Sequence, residues 1–164
     1  MHHYTSTAST TLARRPSAQH VWRHEIPLEA SHTPYVMHGL LAVSALHKAH
    51  LLPPSPEREA FLDLSAHHQA LGLRDFTPCL ERVDEGNWRG VYCFSSMVVL
   101  YVCCLPARSG MAASVAGLLE VCACVRGLRA ILAPWFLRLA ETELGGMMMA
   151  LRGLWDEQED VGER

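Results

Sequence analysis

Ten histidines and six cysteines are the side chains in this 164-residue chain best suited to chemistry, and their spacing decides what kind. His47 and His50 fall one turn apart on a single helix face, the geometry with which two imidazoles begin a metal site. A closed site needs more ligands. His67 and His68 are neighbours that point apart on a helix, and His2 and His3 lie in a Ser/Thr-rich stretch, so no metal ligand is expected. Cys103-Cys104 and Cys122-x-Cys124 are closely spaced, but their immediate neighbours are Val, Leu and Ala, with no cation to draw a thiol toward thiolate. Reduced thiols packed in an apolar core are the expectation for these pairs, as for Cys79 and Cys93. Nucleophilic catalysis has no better footing. There is no Gly-x-Ser-x-Gly turn, and Ser95-Ser96 falls mid-helix, where hydroxyls bond back to the preceding turn. Gly145-Gly146 lacks the Lys and Ser or Thr that complete a phosphate loop. Neither a catalytic residue nor enzymatic activity is expected.

Helices must position whatever these residues do. Residues 35–50 run almost without charge through Met37, Leu40, Leu41, Val43 and Leu46, apolar on several sides, with His47, Lys48 and His50 gathered in the last turn, where positive charge suits the helix dipole. Pro53, Pro54 and Pro56 force a loop. From Glu57 a second helix carries Leu62, Ala66, Leu73 and Phe76 on one stripe. Thr77-Pro78 reads as a cap and first position of a short helix through Leu80 and Val83, followed by a turn at residues 84–87. No charge stands between Arg89 and Arg108, and Val91, Phe94, Met97, Val98, Tyr101 and Val102 fill that span until Pro106. Leu118, Cys122, Val125, Leu128 and Leu132 repeat at helical intervals until Pro134, and residues 135–143 and 147–155 read as shorter helices. The spacing predicts an all-α fold, a bundle of about five to seven helices. Residues 1–20 read as a flexible lead-in, 21–155 as the helical domain, with Pro27 and Pro34 bracketing a short polar stretch, and 156–164 as an acidic polar tail.

The charge balance narrows function. With a net charge of -3 and only 14 Lys plus Arg, the chain has no broad basic surface to neutralise many phosphates, so direct DNA binding is not expected.

Four segments, in this order, carry a family likeness. Val21-Trp22-Arg23 leads through Pro27 to Thr33-Pro34-Tyr35-Val36-Met37-His38-Gly39-Leu40-Leu41-Ala42-Val43-Ser44-Ala45-Leu46-His47. Ala66-His67-His68-Gln69-Ala70-Leu71 follows with Phe76 and Leu80, then Phe94-Ser95-Ser96-Met97-Val98-Val99-Leu100-Tyr101, then Val125-Arg126-Gly127-Leu128-Arg129-Ala130-Ile131-Leu132 with Trp135. Together they resemble the regulatory region of fungal zinc-cluster transcription factors of the sterol-uptake-control type, over residues 21–154. The family's binuclear cluster needs six thiolates in two Cys-x2-Cys arrangements, which this chain lacks, so no zinc cofactor is expected in it. The resemblance implies an all-α regulatory domain, incomplete relative to the family, acting in the nucleus or shuttling with the cytoplasm as a transcription regulator.

It also implies a lipophilic ligand, such as a sterol, held among the helices. Met37, Leu41, Phe94, Met97, Tyr101 and Trp135 are the residues expected to line such a cavity, with plain core packing as the competing role. The adaptable run Met147-Met148-Met149 suits an apolar ligand or a partner helix. A full-length zinc-cluster factor or a transcriptional co-regulator is the expected protein partner, and a truncated family member that modulates intact factors is an alternative reading. A second alternative makes residues 90–107 and 111–125 a small membrane hairpin, although Glu120, Ser95, Ser96 and Pro106 interrupt it; no membrane association is the expectation.

Overall fold

The computed structural model describes residues 2–109 and 115–147. Among them the chain is all-α, with seven helices and no strands. Helix α1 (residues 4–11) is a π turn, Tyr4–Ala8, running into Ser9–Thr11; α2 (residues 16–32) joins Pro16–His20 and Ile26–His32 through a second π turn, Val21–Glu25. Then come α3 (Pro34–Leu51), α4 (Pro56–Phe76), α5 (Trp88–Ser109), α6 (Val115–Leu132) and α7 (Phe136–Ala140). Single 3-10 turns at Thr77–Leu80 and Ala133–Trp135 follow α4 and precede α7.

Helix α3 is the hub, as its near-continuous apolar surface dictates. It starts where extended Thr33 gives way to Pro34, whose missing N–H costs nothing at the first helical position. Tyr35, Val36, Leu40, Val43 and Leu46 are all buried, and the helix stops as Leu52 turns extended before Pro53. Helix α4 restarts on a side-chain cap: the Ser55 hydroxyl accepts from the Arg58 N–H at 3.2 Å, Pro56 follows, and Glu57 and Glu59 sit in the first turn. The short loop makes α3 and α4 antiparallel neighbours. The Ser65 hydroxyl, fully buried on α4, donates to the Ala42 carbonyl at 2.8 Å and so is satisfied inside the contact.

Phe94 of α5 wedges into this pair. A Cβ at Gly39 would lie 2.9 Å from the Phe94 ring and 2.8 Å from Met97 Cε, and one at Gly72 only 2.6 Å from Phe94 Cε2. Two glycines, one on each helix, therefore make room for one phenyl ring. Tyr35 meets that ring edge-on at 5.7 Å and Phe76 lies against it at 4.7 Å, an arrangement that aromatic quadrupoles favour. On the other side Arg89 ties α5 to α2, 3.4 Å from Glu25 and 3.7 Å from Glu29, whose carboxylate also accepts from the Thr33 hydroxyl at 2.8 Å.

Three local expectations change. The Ser/Thr-rich start, expected as a flexible lead-in over residues 1–20, carries helix at residues 4–11 and 16–20: Tyr4 and Ala8 are fully buried, and the Tyr4 hydroxyl donates to the Trp22 carbonyl at 2.7 Å. One aromatic anchor outweighs the polar composition around it. Pro27 lies inside a helical run, because the π turn before it shifts the hydrogen-bond register that a proline would otherwise break, and Ile26 and Ala30, four residues apart, bury the same face. Helix α5 also continues past Pro106 to Ser109. The expected helix at 147–155 and the acidic tail at 156–164 lie, beyond Met147, outside the described residues.

Candidate functional site

Between α3 and α4, beside His3 at the start of α1, a groove of about 210 Å³ opens to solvent. Helical periodicity builds its floor: Leu41, Ala45 and Lys48 recur along one face of α3, and Phe61, Leu64 and His68 along the facing stripe of α4. The apolar part of the floor is Leu41, Ala45, Phe61 and Leu64, and Leu64 is left 43% exposed. The rim is nitrogen-rich: His3, Lys48 and His68, with no carboxylate among the lining side chains. Lys48 Nζ sits 4.2 Å above the Phe61 ring, a cation–π contact, and among the described residues it has no carboxylate partner.

Two imidazole pairs flank the groove. His3 Nε2 and His47 Nδ1 are 3.1 Å apart, and the other nitrogen of His47 lies 3.0 Å from the Thr11 hydroxyl, so α1 is strapped to α3 at both ends through one ring. His38 Nδ1 and His68 Nδ1 are 3.0 Å apart across α3 and α4. A hydrogen bond in either pair requires one neutral ring to accept. Burial pulls His3 below the ordinary imidazole range, with Lys48 adding to the effect; burial and then His3 do the same to His47, and burial and then His38 to His68. Of the two imidazoles one turn apart on α3, His50 is exposed in the last turn, and His47 turns to His3. Among the described residues no three His, Cys, Asp or Glu side chains converge as a metal-holding group.

Of the six residues expected to line a lipophilic cavity, Met37, Phe94, Met97 and Trp135 belong to one core cluster, while Tyr101 and Leu41 stand apart from it. Phe94 and Met97 are fully buried and spend their surface against Gly39, with Met37 half-buried beside the same cluster. Tyr101 belongs to a second, smaller cluster with Ala42, Leu46 and Leu62. Trp135 stacks on Trp88 with the rings 5.8 Å apart and nearly parallel, capped by Arg138, which also pairs with Glu85. Leu41 alone reaches the groove. The cysteines also divide. Cys93 is buried, as expected, and burial pushes its thiol far up, but Cys103 and Cys122 are exposed rather than packed in the core. The apolar neighbours on which the core expectation rested are adjacent in sequence, not in the direction of the side chain. Cys103 is raised by partial burial and then by Cys124 nearby on α6.

Comparison with protein families, curated proteins and solved structures finds no match. Function therefore has to be argued from the residues themselves. Among the described residues, no helix is long and apolar enough to cross a membrane. The early turns of α5 place Val91, Phe94 and Met97 in the core cluster.

Proposed function

We propose that this chain is a helical regulatory module of a transcription regulator, related to the ligand-sensing region of zinc-cluster factors, and that it works in the nucleus without reading DNA itself. The observation that supports this reading is the Phe94 junction. Tyr35 and Gly39 come from the first of the segments that resemble the family, Gly72 and Phe76 from the helix of the second, and Phe94 from the third, and they close on one ring. On this reading, those segments resemble the family because one packing unit requires them. A net charge of -3 leaves DNA recognition to a partner, such as a full-length factor or a co-regulator. A lipophilic ligand would act by favouring one arrangement of the helices over another.

A variant of this reading, in which the chain modulates intact factors by protein contact, draws on Leu119 of α6, 61% exposed, and Leu137 of α7, 83% exposed, which leave apolar surface for a partner helix. Fusion to an unrelated DNA-binding domain tests both. The regulatory reading expects reporter output that changes when cellular sterol is depleted; the modulator reading expects sterol-independent output that changes when an intact zinc-cluster factor is co-expressed. A reporter that responds to neither, from a fusion that accumulates in the nucleus, overturns the proposal.

A further inference from the structure

We infer that the groove between α3 and α4 is a binding site for one medium-chain fatty acid, with the alkyl chain on Leu41, Ala45, Phe61 and Leu64 and the carboxylate at Lys48. The floor, Ser44 aside, is apolar and partly open, so water covers it poorly, and its exposed Leu64 gains burial from an occupant. The rim supplies one fixed positive charge, Lys48, held over Phe61 without a carboxylate partner among the described residues, and two imidazoles, His3 and His68, able to donate. An anion is the complementary head group for such a rim, because a carboxylate completes an unpaired ammonium whereas a neutral head leaves it as it was.

Size sets the tail. Leu41 and Lys48 are seven residues apart on α3, about 10 Å along the axis, which matches an extended chain of roughly eight to ten carbons. The volume of about 210 Å³ agrees. Sites for drug-sized ligands run to about 300–1,000 Å³, larger than this groove. This site stands apart from the regulatory reading: a silent reporter would leave it untouched, and an empty groove would leave the reporter result untouched.

Titration of the whole chain with decanoate and with 1-decanol at pH 7.5, below the micelle concentration, separates charge from tail. The expected result is saturable binding of one decanoate per chain, with shifts of the His3 and His68 ring resonances and none at exposed His24 and His32. Lys48→Gln weakens decanoate about tenfold, Lys48→Arg restores it, and both leave decanol within about twofold. Leu64→Ala weakens both ligands, and because it keeps Lys48 it reports on the tail alone. The inference is overturned by non-saturable binding, by equal loss of the acid and the alcohol in Lys48→Gln, or by resonance shifts centred on Met97 in the core instead of on the groove.

Discussion

Gly72→Ala puts one methyl group where three helices meet, and the structure sets its cost. The new Cβ would stand 2.6 Å from Phe94 Cε2, 2.8 Å from Phe94 Cζ and 3.3 Å from the Tyr35 carbonyl oxygen. Carbon pairs rest at about 3.5–4.0 Å, so the ring would have to retreat by about 1 Å. It has nowhere to go: Phe94 is fully buried, with Phe76 at 4.7 Å and Tyr35 at 5.7 Å. Overpacking of this kind costs about 1–3 kcal/mol, against about 1 kcal/mol gained by Ala over Gly in a helix. The net expectation is destabilisation by about 1 kcal/mol. Gly127 on α6 has nothing within 4 Å of its added Cβ, so Gly127→Ala keeps only the helix gain and should stabilise by about 1 kcal/mol. In a Phe94→Leu background the ring edge is gone and Gly72→Ala should become stabilising, a coupling of about 1–3 kcal/mol. Urea unfolding followed by far-UV circular dichroism, with m held constant, reads all four variants. If Gly72→Ala stabilises as much as Gly127→Ala, or adds independently to Phe94→Leu, the wedge at Phe94 is not what holds α3, α4 and α5 together.

Two buried tyrosines should respond oppositely to loss of a hydroxyl. Tyr4→Phe orphans the Trp22 carbonyl and should cost about 1–2 kcal/mol, whereas Tyr92→Phe removes a buried hydroxyl without a well-formed hydrogen bond among the described residues and should be neutral or stabilising; a matched pair of thermal melts decides it. Acid should loosen the α1 strap and the His38–His68 contact between α3 and α4. His3, His47 and His68 all lie below the ordinary imidazole value, so the unfolded chain takes up protons that the fold resists. Their contribution is complete above about pH 6.5 and declines as pH falls through that value toward the lower folded values. Urea midpoints between pH 7.5 and 5.5 should fall, and fall less in His47→Gln; a midpoint indifferent to pH across that window refutes the claim.

What the sequence made legible follows from what each residue had to touch. Helix α3 could be read because Met37, Leu40, Val43 and Leu46 make its early turns apolar on several sides, and such a helix has to be a hub. The starts of α3 and α4 could be read because Pro34 and Pro56 are local signals that act before any tertiary contact. Helix α1 could not. Its order comes from Tyr4 reaching Trp22, 18 residues on, and from His3 and Thr11 sharing His47, contacts with no period and no motif. The turn through Pro27 was hidden for a related reason: a π turn changes the spacing that a search at 3.6 residues assumes.

The groove was partly legible in the same sense. Periodicity alone lays Leu41, Ala45 and Lys48 on one stripe and Phe61, Leu64 and His68 on another. What it cannot supply is that these stripes face each other across a gap, while Phe94 and Met97, equally apolar, face a pair of glycines with no gap at all. An apolar residue is available to a ligand only where its partner residue is too short or too far away to cover it. By that criterion Phe94 is structural and Leu64 is open. A neutral ligand entering at Phe94 would have to displace the ring that closes three helices, at a cost comparable to removing it, about 3–5 kcal/mol for a buried phenylalanine. An anionic amphiphile entering the groove displaces only water and meets Lys48 unpaired.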